Sequence, residues 1–354
     1  MPLEKVAVLG LGNVGLLAAK FLHEGGYAVT GFDTRPPREP LAFPVRTEDL
    51  VADEGVEAAM RGQDAVLSCL PYRLNRRVAT VAHAKGMHYF DLTEDVATTR
   101  AIIELSRTSR ALLAPQCGLA PGFVGIVGAH QVALFERCRA LRLRVGALPQ
   151  HPSGQLGYAF NWSPEGVVNE YLNDCEVIEE GTRKMVSSME WLEPIYVDGV
   201  QLEAFTTSGG LGTICETFHG RVDNIDYKTL RYPGHARLMN FFFHELLMRE
   251  RRELAGEILT HAKPPVDDDI VYVHVSAEGL IGGRMQRREF VRAYRPIEIA
   301  GGVQRAIAWT TAASVVAVVQ LVRDEVLPQR GFLKQEEIPL EAFLGTVTGR
   351  LFVA

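Results

Sequence analysis

The sequence predicts an α/β protein: a Rossmann doubly wound parallel sheet, then a second α/β domain built on a mostly antiparallel sheet. Three observations carry this expectation. Strands and helices alternate strictly as far as Ala114, an apolar strand runs directly into a glycine triplet, and the apolar pattern changes to period two after Pro121.

The first strand, Val6 to Leu9, leads into Gly10-Leu11-Gly12-Asn13-Val14-Gly15. Gly10 makes the tight turn, Gly12 lets the backbone approach a pyrophosphate, and Gly15 lets the following helix pack on the sheet. Amides at the helix start, from Asn13 and Val14, face the phosphates. The helix runs to Gly25-Gly26, and the next strand, Tyr27 to Phe32, ends at Asp33. A carboxylate there accepts hydrogen bonds from both hydroxyls of an adenosine ribose and repels a 2′-phosphate. NAD is therefore expected over NADP, with Thr34 and Arg35 beside the ribose, although Arg35 stands where NADP-binding proteins often keep a cation.

Further elements follow in order: a Phe43 to Val45 strand, a helix from Leu50 to Met60, and the strand Ala65 to Cys69. Next come a helix from Asn75 to Lys85, the strand His88 to Leu92, a helix to Arg107 and the strand Ala111 to Ala114. Dinucleotides bind at the carboxyl ends of such strands. Cys69-Leu70-Pro71-Tyr72, Asp91-Leu92-Thr93-Glu94 and Cys117-Gly118-Leu119-Ala120-Pro121-Gly122 all fall on that edge. Cys69, Leu70, Pro71 and Leu92 are expected to wall the cofactor. Tyr72, Asp91 and Cys117 are candidates for catalysis, with Thr93 and Glu94 beside the substrate. Asp91 ends a buried strand, where a turn role competes with proton transfer; Cys69 suits a small buried hydrophobe, and Cys117 precedes a turn into a helix.

After a helix from Pro121 to Phe135, strands are expected at Leu141 to Val145, Leu156 to Phe160, Pro194 to Ala204 with a hairpin at Asp198-Gly199, Val271 to Val275, and Arg284 to Arg295. Ser163-Pro164 starts a helix through Leu172, with Ser as N-cap and Pro as first residue. Another helix spans Ala236 to Leu259, and an apolar one spans Val303 to Leu327. The segment Asp226 to His235 gathers Lys228, Arg231, His235 and two tyrosines beside Pro233-Gly234. Arg231 is a planar two-pronged donor for a carboxylate; an ordinary turn is the competing reading. Trp162 and Thr206 to Gly210 mark further candidate pocket loops. The expected division is residues 1–120 with 303–354 for the dinucleotide, and 121–302 for substrate and dimerisation.

A net charge of −6, a pI near 6.0 and a 23% charged fraction offer no attraction for nucleic acid or an anionic membrane. The run Ala306 to Val322 carries Thr310, Thr311, Ser314 and Gln320, so a buried helix is expected rather than a membrane span. Five scattered cysteines without a Cys-x-x-Cys pair, and ten histidines without a ligand motif, point to neither disulfides nor a metal. A strand begins at once after Met-Pro-Leu-Glu-Lys, which leaves no room for a signal peptide and suggests the cytoplasm.

Together the glycine motif, Cys117 to Gly122, Trp162-Ser163-Pro164-Glu165-Gly166 and Leu230-Arg231-Tyr232-Pro233-Gly234-His235 resemble the saccharopine dehydrogenase family. Within it the likeness is greatest to the bacterial lysine 6-dehydrogenases. The resemblance implies NAD(P) binding, a small amino-acid substrate and chemistry at a lysine-derived carbon–nitrogen bond. It places a tyrosine and a cysteine near the nicotinamide on Tyr72 and Cys117, with Asp91 standing in for an aspartate. The implied reaction is NAD-dependent oxidative deamination of the terminal amine of L-lysine, in a homodimer or homotetramer, with Arg231 and His235 holding the carboxylate. Alternatives are a saccharopine or carboxynorspermidine dehydrogenase and a non-catalytic NAD-binding regulator.

Overall fold

The computed structural model describes residues 3–353 except 36 and 38. The chain divides into two compact units, Met1–Phe123 with Ala308–Ala354, and Val124–Ile307.

In the first unit, β1 (Lys5–Leu9), β2 (Ala28–Asp33), β3 (Val45–Thr47), β4 (Ala65–Ser68), β5 (His88–Asp91) and β6 (Leu112–Ala114) join Gly331–Phe332 in one sheet. Every pairing is parallel. The spatial order is Gly331–Phe332, β6, β5, β4, β1, β2, β3. The winding thus reverses between β1 and β4, the switch point at which such sheets bind ligands. Helices α1 (Asn13–Glu24), α2 (Asp53–Ala59), α3 (Tyr72–Lys85) and α4 (Val96–Ser106) make the crossovers. Strands covered on both faces read as continuous apolar runs, and Ala7, Leu9, Phe32, Val66 and Leu113 join Val78, Ala82 and Ile102 in one core. The Asp95 side chain caps α4 by accepting from Thr98 N at 2.7 Å.

The helix Ala306–Arg323 is long and apolar enough to cross a membrane, yet 78% of it is buried inside the protein. Within this unit Ser314 Oγ donates to Gly118 O at 2.8 Å and Arg323 Nη1 to Gly25 O at 2.9 Å, which gives a buried hydroxyl and the last-turn cation partners.

The second unit contains β7 (Arg137–Pro149), β8 (Cys175–Glu179), β9 (Thr182–Val186), β10 (Glu193–Val197), β11 (Val200–Thr206), β12 (Asn224–Arg231), β13 (Asp269–Ile281) and β14 (Arg284–Tyr294). Their order is β10, β11, β12, β7, β13, β14, with β8 on β12 and β9 on β8. Only β12 and β7 pair in parallel; the other pairings are antiparallel. Helix α5 (Phe123–Ala133) lies close on β7, since a Cβ on Gly128 would come 3.1 Å from Leu143. Further helices are α6 (Pro164–Leu172), α7 (Ile214–Phe218), α8 (His235–Asn240) and α9 (Arg252–Ala262).

Three expectations change. Leu156 to Phe160 is not a strand: Gly157 takes φ +56°, and Tyr158 and Phe160 enter the core from irregular backbone. The helix expected over Ala236 to Leu259 is broken. It passes from α8 through a π turn at Phe241–Glu245 to Leu247, whose φ of +56° stops it before α9 begins. Asp226 to Arg231 is strand, not loop, and β8 and β9 are additions to the expected set.

Strand β12 alternates its side chains across the sheet. On one face Arg144 is buried and meets Glu193 at 2.7 Å and Asp226 at 2.6 Å, while Lys228 meets Glu193 at 2.8 Å. Removing one member of a buried ion network leaves charges uncompensated. Arg144→Met is expected to lose about 3 kcal/mol, toward the low end of such losses because Glu193 is partly solvated. Urea titration checks this, with a lowered midpoint at an unchanged m value.

Candidate active site

The glycine loop of the first unit has the shape a pyrophosphate needs. Gly10 adopts φ +85°, and a Cβ on Gly15 would stand 1.9 Å from Gly10 O, so both positions demand glycine. A Cβ on Gly12 would meet nothing within 4 Å, which leaves open space over the start of α1. Gly12 is the N-cap, and neither a capping side chain nor an acidic residue occupies that end. These amides are therefore presented to an anion. The Asp33 carboxylate, half-buried, accepts from Leu11 N at 2.7 Å through Oδ2 and from Arg35 N at 3.1 Å through Oδ1. It braces the loop while keeping lone pairs for ribose hydroxyls. Thr34, Arg35 and Asn13 are exposed beside it, and Val14 is half-buried. The loop also packs on Cys69, whose O would lie 3.0 Å from a Cβ on Gly10, and on Leu70 at 3.1 Å. Pro71 is exposed and ends the turn as N-cap of α3. The residues present fit a dinucleotide.

At the same sheet edge, Asp91 is fully buried and both of its oxygens are engaged. Tyr89 Oη donates to Oδ2 at 2.5 Å, and Thr93 N and Gln116 N donate to Oδ1 at 3.0 and 2.9 Å. Burial outweighs these donors and pushes its carboxyl up to about 6. Through these bonds Asp91 ties β5 to the chain beyond β6. Cys117 is likewise fully buried, with Sγ 3.1 Å from Ala114 O and accepting from Gln335 Nε2 at 3.3 Å, and burial holds its thiol well above the ordinary range. It shapes the loop rather than attacking anything. Gly122 closes this loop at φ +133°, where a Cβ would stand 2.0 Å from Gly118 O. Tyr72, the first residue of α3, is half-buried, as are Leu92 and Glu94; Thr93 is buried, its hydroxyl accepting from Asp95 N at 3.2 Å.

In the second unit β12 separates the two cations that the sequence had grouped. Lys228 belongs to the ion network, and Arg231 points to the other face. Arg231 is only 2% exposed. Its Nε donates to Tyr171 Oη at 2.8 Å, Nη1 to Leu230 O at 2.8 Å and Nη2 to Tyr158 Oη at 3.4 Å, and its guanidinium lies 4.4 Å from the Tyr158 ring centroid. Among the described residues no carboxylate forms an ion pair with it. Glu203, directly across the strand pair, turns away to accept from Gly234 N at 2.8 Å and Ala236 N at 2.6 Å, holding the start of α8. The buried Glu170 carboxylate acts on the guanidinium electrostatically, and two aromatic faces add to that.

His235 completes the cluster. Nδ1 meets Leu156 O at 3.0 Å and Nε2 meets Tyr171 Oη at 3.0 Å. Burial, aided by Arg231, pushes its imidazole down to about 3, so the ring is neutral. The carbonyl can only accept, which places the proton on Nδ1 and makes Nε2 the acceptor from Tyr171. The half-buried Trp162 hydrogen-bonds the Tyr158 hydroxyl. In the Thr206 to Gly210 segment, Ser208 N donates to Glu170 O at 3.0 Å and a Cβ on Gly210 would strike the Tyr227 ring, which makes this segment a packing turn.

Tyr158, Tyr171 and Glu203 were missed from sequence. One signal was present: Tyr171 lies on the buried face of α6 with Val167 and Val168, where a phenol requires a partner. Among the described residues no group of three or more His, Cys, Asp or Glu side chains is placed to hold a metal ion.

The family model for the saccharopine dehydrogenase C-terminal domain matches residues 118–351. The mitochondrial alpha-aminoadipic semialdehyde synthase of Rattus norvegicus is 22% identical over 264 residues, which is 68% of this chain and 28% of that protein's length. The Saccharomyces cerevisiae saccharopine dehydrogenase (L-Glu forming) superposes with a TM-score of 0.70 at 15% identity, covering 94% of each chain. An engineered D-amino acid dehydrogenase bound to NADP+ gives 0.52 at 14% identity, over 99% of this chain and 98% of that one.

The raised carboxyl of Asp91 has a consequence for stability. Between the ordinary value of 3.8 and about 6 the folded state holds a proton that the unfolded state releases, so the stability contributed below pH 4 is lost as pH rises through 6. In Asp91→Asn the amide can accept from both backbone donors and donate to Tyr89. Relative to that variant, the wild type is expected to lose about 2 kcal/mol between pH 4 and pH 6. Urea titrations across that range check it; parallel curves would show an Asp91 of ordinary acidity.

Proposed function

We propose that this chain, which belongs to the saccharopine dehydrogenase family, is an NAD-dependent amino-acid dehydrogenase that acts on the terminal amine of L-lysine. The observation that carries the reading is Arg231, a cation buried to 2% exposure whose hydrogen bonds among the described residues all go to neutral oxygens, with the Glu170 carboxylate acting on it only through space. An amino-acid carboxylate is the anion that such a fork suits.

Gly10, Gly12 and Gly15 with Asn13 and Val14 would hold the pyrophosphate, and Asp33 the ribose. When bound, the nicotinamide supplies the hydride acceptor. The chain's residues then have three tasks. Arg231 fixes the carboxylate end of the substrate. Tyr171 and the neutral His235 keep the guanidinium in its plane, because Tyr171 Oη accepts from Nε while giving its own proton to His235. At the carboxyl edge of the parallel sheet in the first unit, Tyr72 and Glu94, both half-buried, are the groups accessible for proton transfer, Asp91 being fully buried. A free lysine ammonium titrates near 10.4, so turnover should rise toward alkaline pH.

A second reading, oxidation of the secondary amine of saccharopine, draws support from the domain whose model matches residues 118–351. A homo-oligomer accords with apolar side chains exposed around β10, Leu192 at 57% and Tyr196 at 68%. A cytoplasmic location accords with the free state of all five cysteines.

NADH formation with lysine, ornithine, saccharopine and carboxynorspermidine tests the reading. Lysine is expected to give the highest kcat/KM; a preference for saccharopine would favour the second reading, and tight NAD binding without turnover on any of them would favour a regulator. Asp33→Ser removes the charge that opposes a 2′-phosphate. The ratio of NAD to NADP efficiency is expected to fall at least tenfold, and an unchanged ratio would show that the ribose is read elsewhere.

A further inference from the structure

In the first unit, the segments that enter β4, β5 and β6 and the turn before Gly331 enclose a cavity of about 450 Å³. It lies at the amino ends of the strands, the edge away from the glycine loop. Its chemistry is set by His88, Arg110 and Arg330, with Asp64 and Gln329 completing the wall. His88 is 5% exposed, and its Nδ1 accepts from Leu112 N at 3.3 Å, so its proton sits on Nε2. Burial pushes the imidazole down to about 4, which keeps it neutral, and Nε2 has no protein partner among the described residues.

Arg110 and Arg330 are exposed on the rim of the cavity, and neither has a hydrogen bond or ion pair among the described residues. The one carboxylate in the lining, Asp64, accepts from Glu4 N at 3.1 Å and Lys5 N at 2.8 Å through Oδ2. Gln329 Nε2 donates to Val322 O at 2.8 Å and Leu327 O at 3.0 Å, and Gly331 N to Ala111 O at 3.1 Å. The turn that carries Arg330 is therefore fixed at both ends. Among the described residues, two forks without a partner and a neutral N–H donor line one space, with the Asp64 carboxylate held by backbone amides through Oδ2.

We propose that this cavity binds a small anion of at least two charges, a polycarboxylate or a phosphorylated metabolite, between Arg110 and Arg330 with His88 Nε2 donating from the wall. Guanidinium forks suit both classes equally, and a volume of this order holds a molecule the size of citrate. The site is separate from the dinucleotide loop and does not depend on which amine the protein oxidises.

Isothermal titration of the full chain with citrate, and separately with inorganic phosphate, tests it at low ionic strength. The wild type is expected to bind at least one probe, and the tighter one names the class. The double variant Arg110→Gln, Arg330→Gln is expected to weaken that binding at least tenfold. A control, Arg76→Gln with Arg100→Gln, removes two exposed cations of the same unit and is expected to change it less than twofold. Failure of both probes to bind at millimolar concentration, an unchanged affinity in the Arg110/Arg330 variant, or an equal loss in the control would each overturn the proposal.

Discussion

Tyr171 Oη is the point on which the second unit's polar interior turns. It accepts from Arg231 and donates to His235, whose other nitrogen donates to Leu156 O. One oxygen thereby joins β12, α6, the start of α8 and the irregular segment around Leu156. The three side chains are buried, and a polar group left unpaired there costs about 1–3 kcal/mol. The chain of donors has one consistent direction, which a charged imidazole would reverse. The low titration of His235 preserves it across the working range of pH.

The two faces of β12 show how burial can be used for opposite ends. Arg144 and Lys228 are satisfied within the protein by Glu193 and Asp226, a closed network that holds β7, β10 and β12 together. Arg231, on the other face, is oriented by neutral hydrogen-bond partners, with Glu170 acting on it through space. Its nearest cross-strand acid, Glu203, serves two backbone amides instead. In the first unit Asp91 is an acid at a strand end whose two oxygens serve a phenol and two amides.

The parts of the fold written in local sequence were legible. Gly10, Gly12, Gly15 and Asp33 act through backbone conformation and short-range contacts, and the structure gives each glycine the geometry its position implied. The hairpin at Asp198-Gly199 and the Ser163-Pro164 helix start are local in the same way. Strand β12 was not legible, because Asp226, Lys228 and Arg231 look solvated until partners far along the chain, Arg144, Glu193 and Tyr171, cover them. The break at Leu247 escaped for a related reason: the aromatic run before it has helical spacing, and only the left-handed backbone ends it. In the candidate site, sequence picked out Arg231 and His235 but not Tyr171, whose importance lies in a contact sixty residues away.

On the proposed reading, the Arg231 guanidinium receives the carboxylate of the substrate. Steady-state kinetics with L-lysine and with 1,5-diaminopentane, the same amine without its carboxylate, tests this most directly in the wild type and in Arg231→Gln. In the wild type kcat/KM for lysine is expected to exceed that for the diamine on the order of 10²-fold, the scale of a buried charge-assisted pair. In the variant the difference is expected largely to vanish. Equal efficiency on the two amines in the wild type, or a preference that survives the loss of the guanidinium, would contradict it.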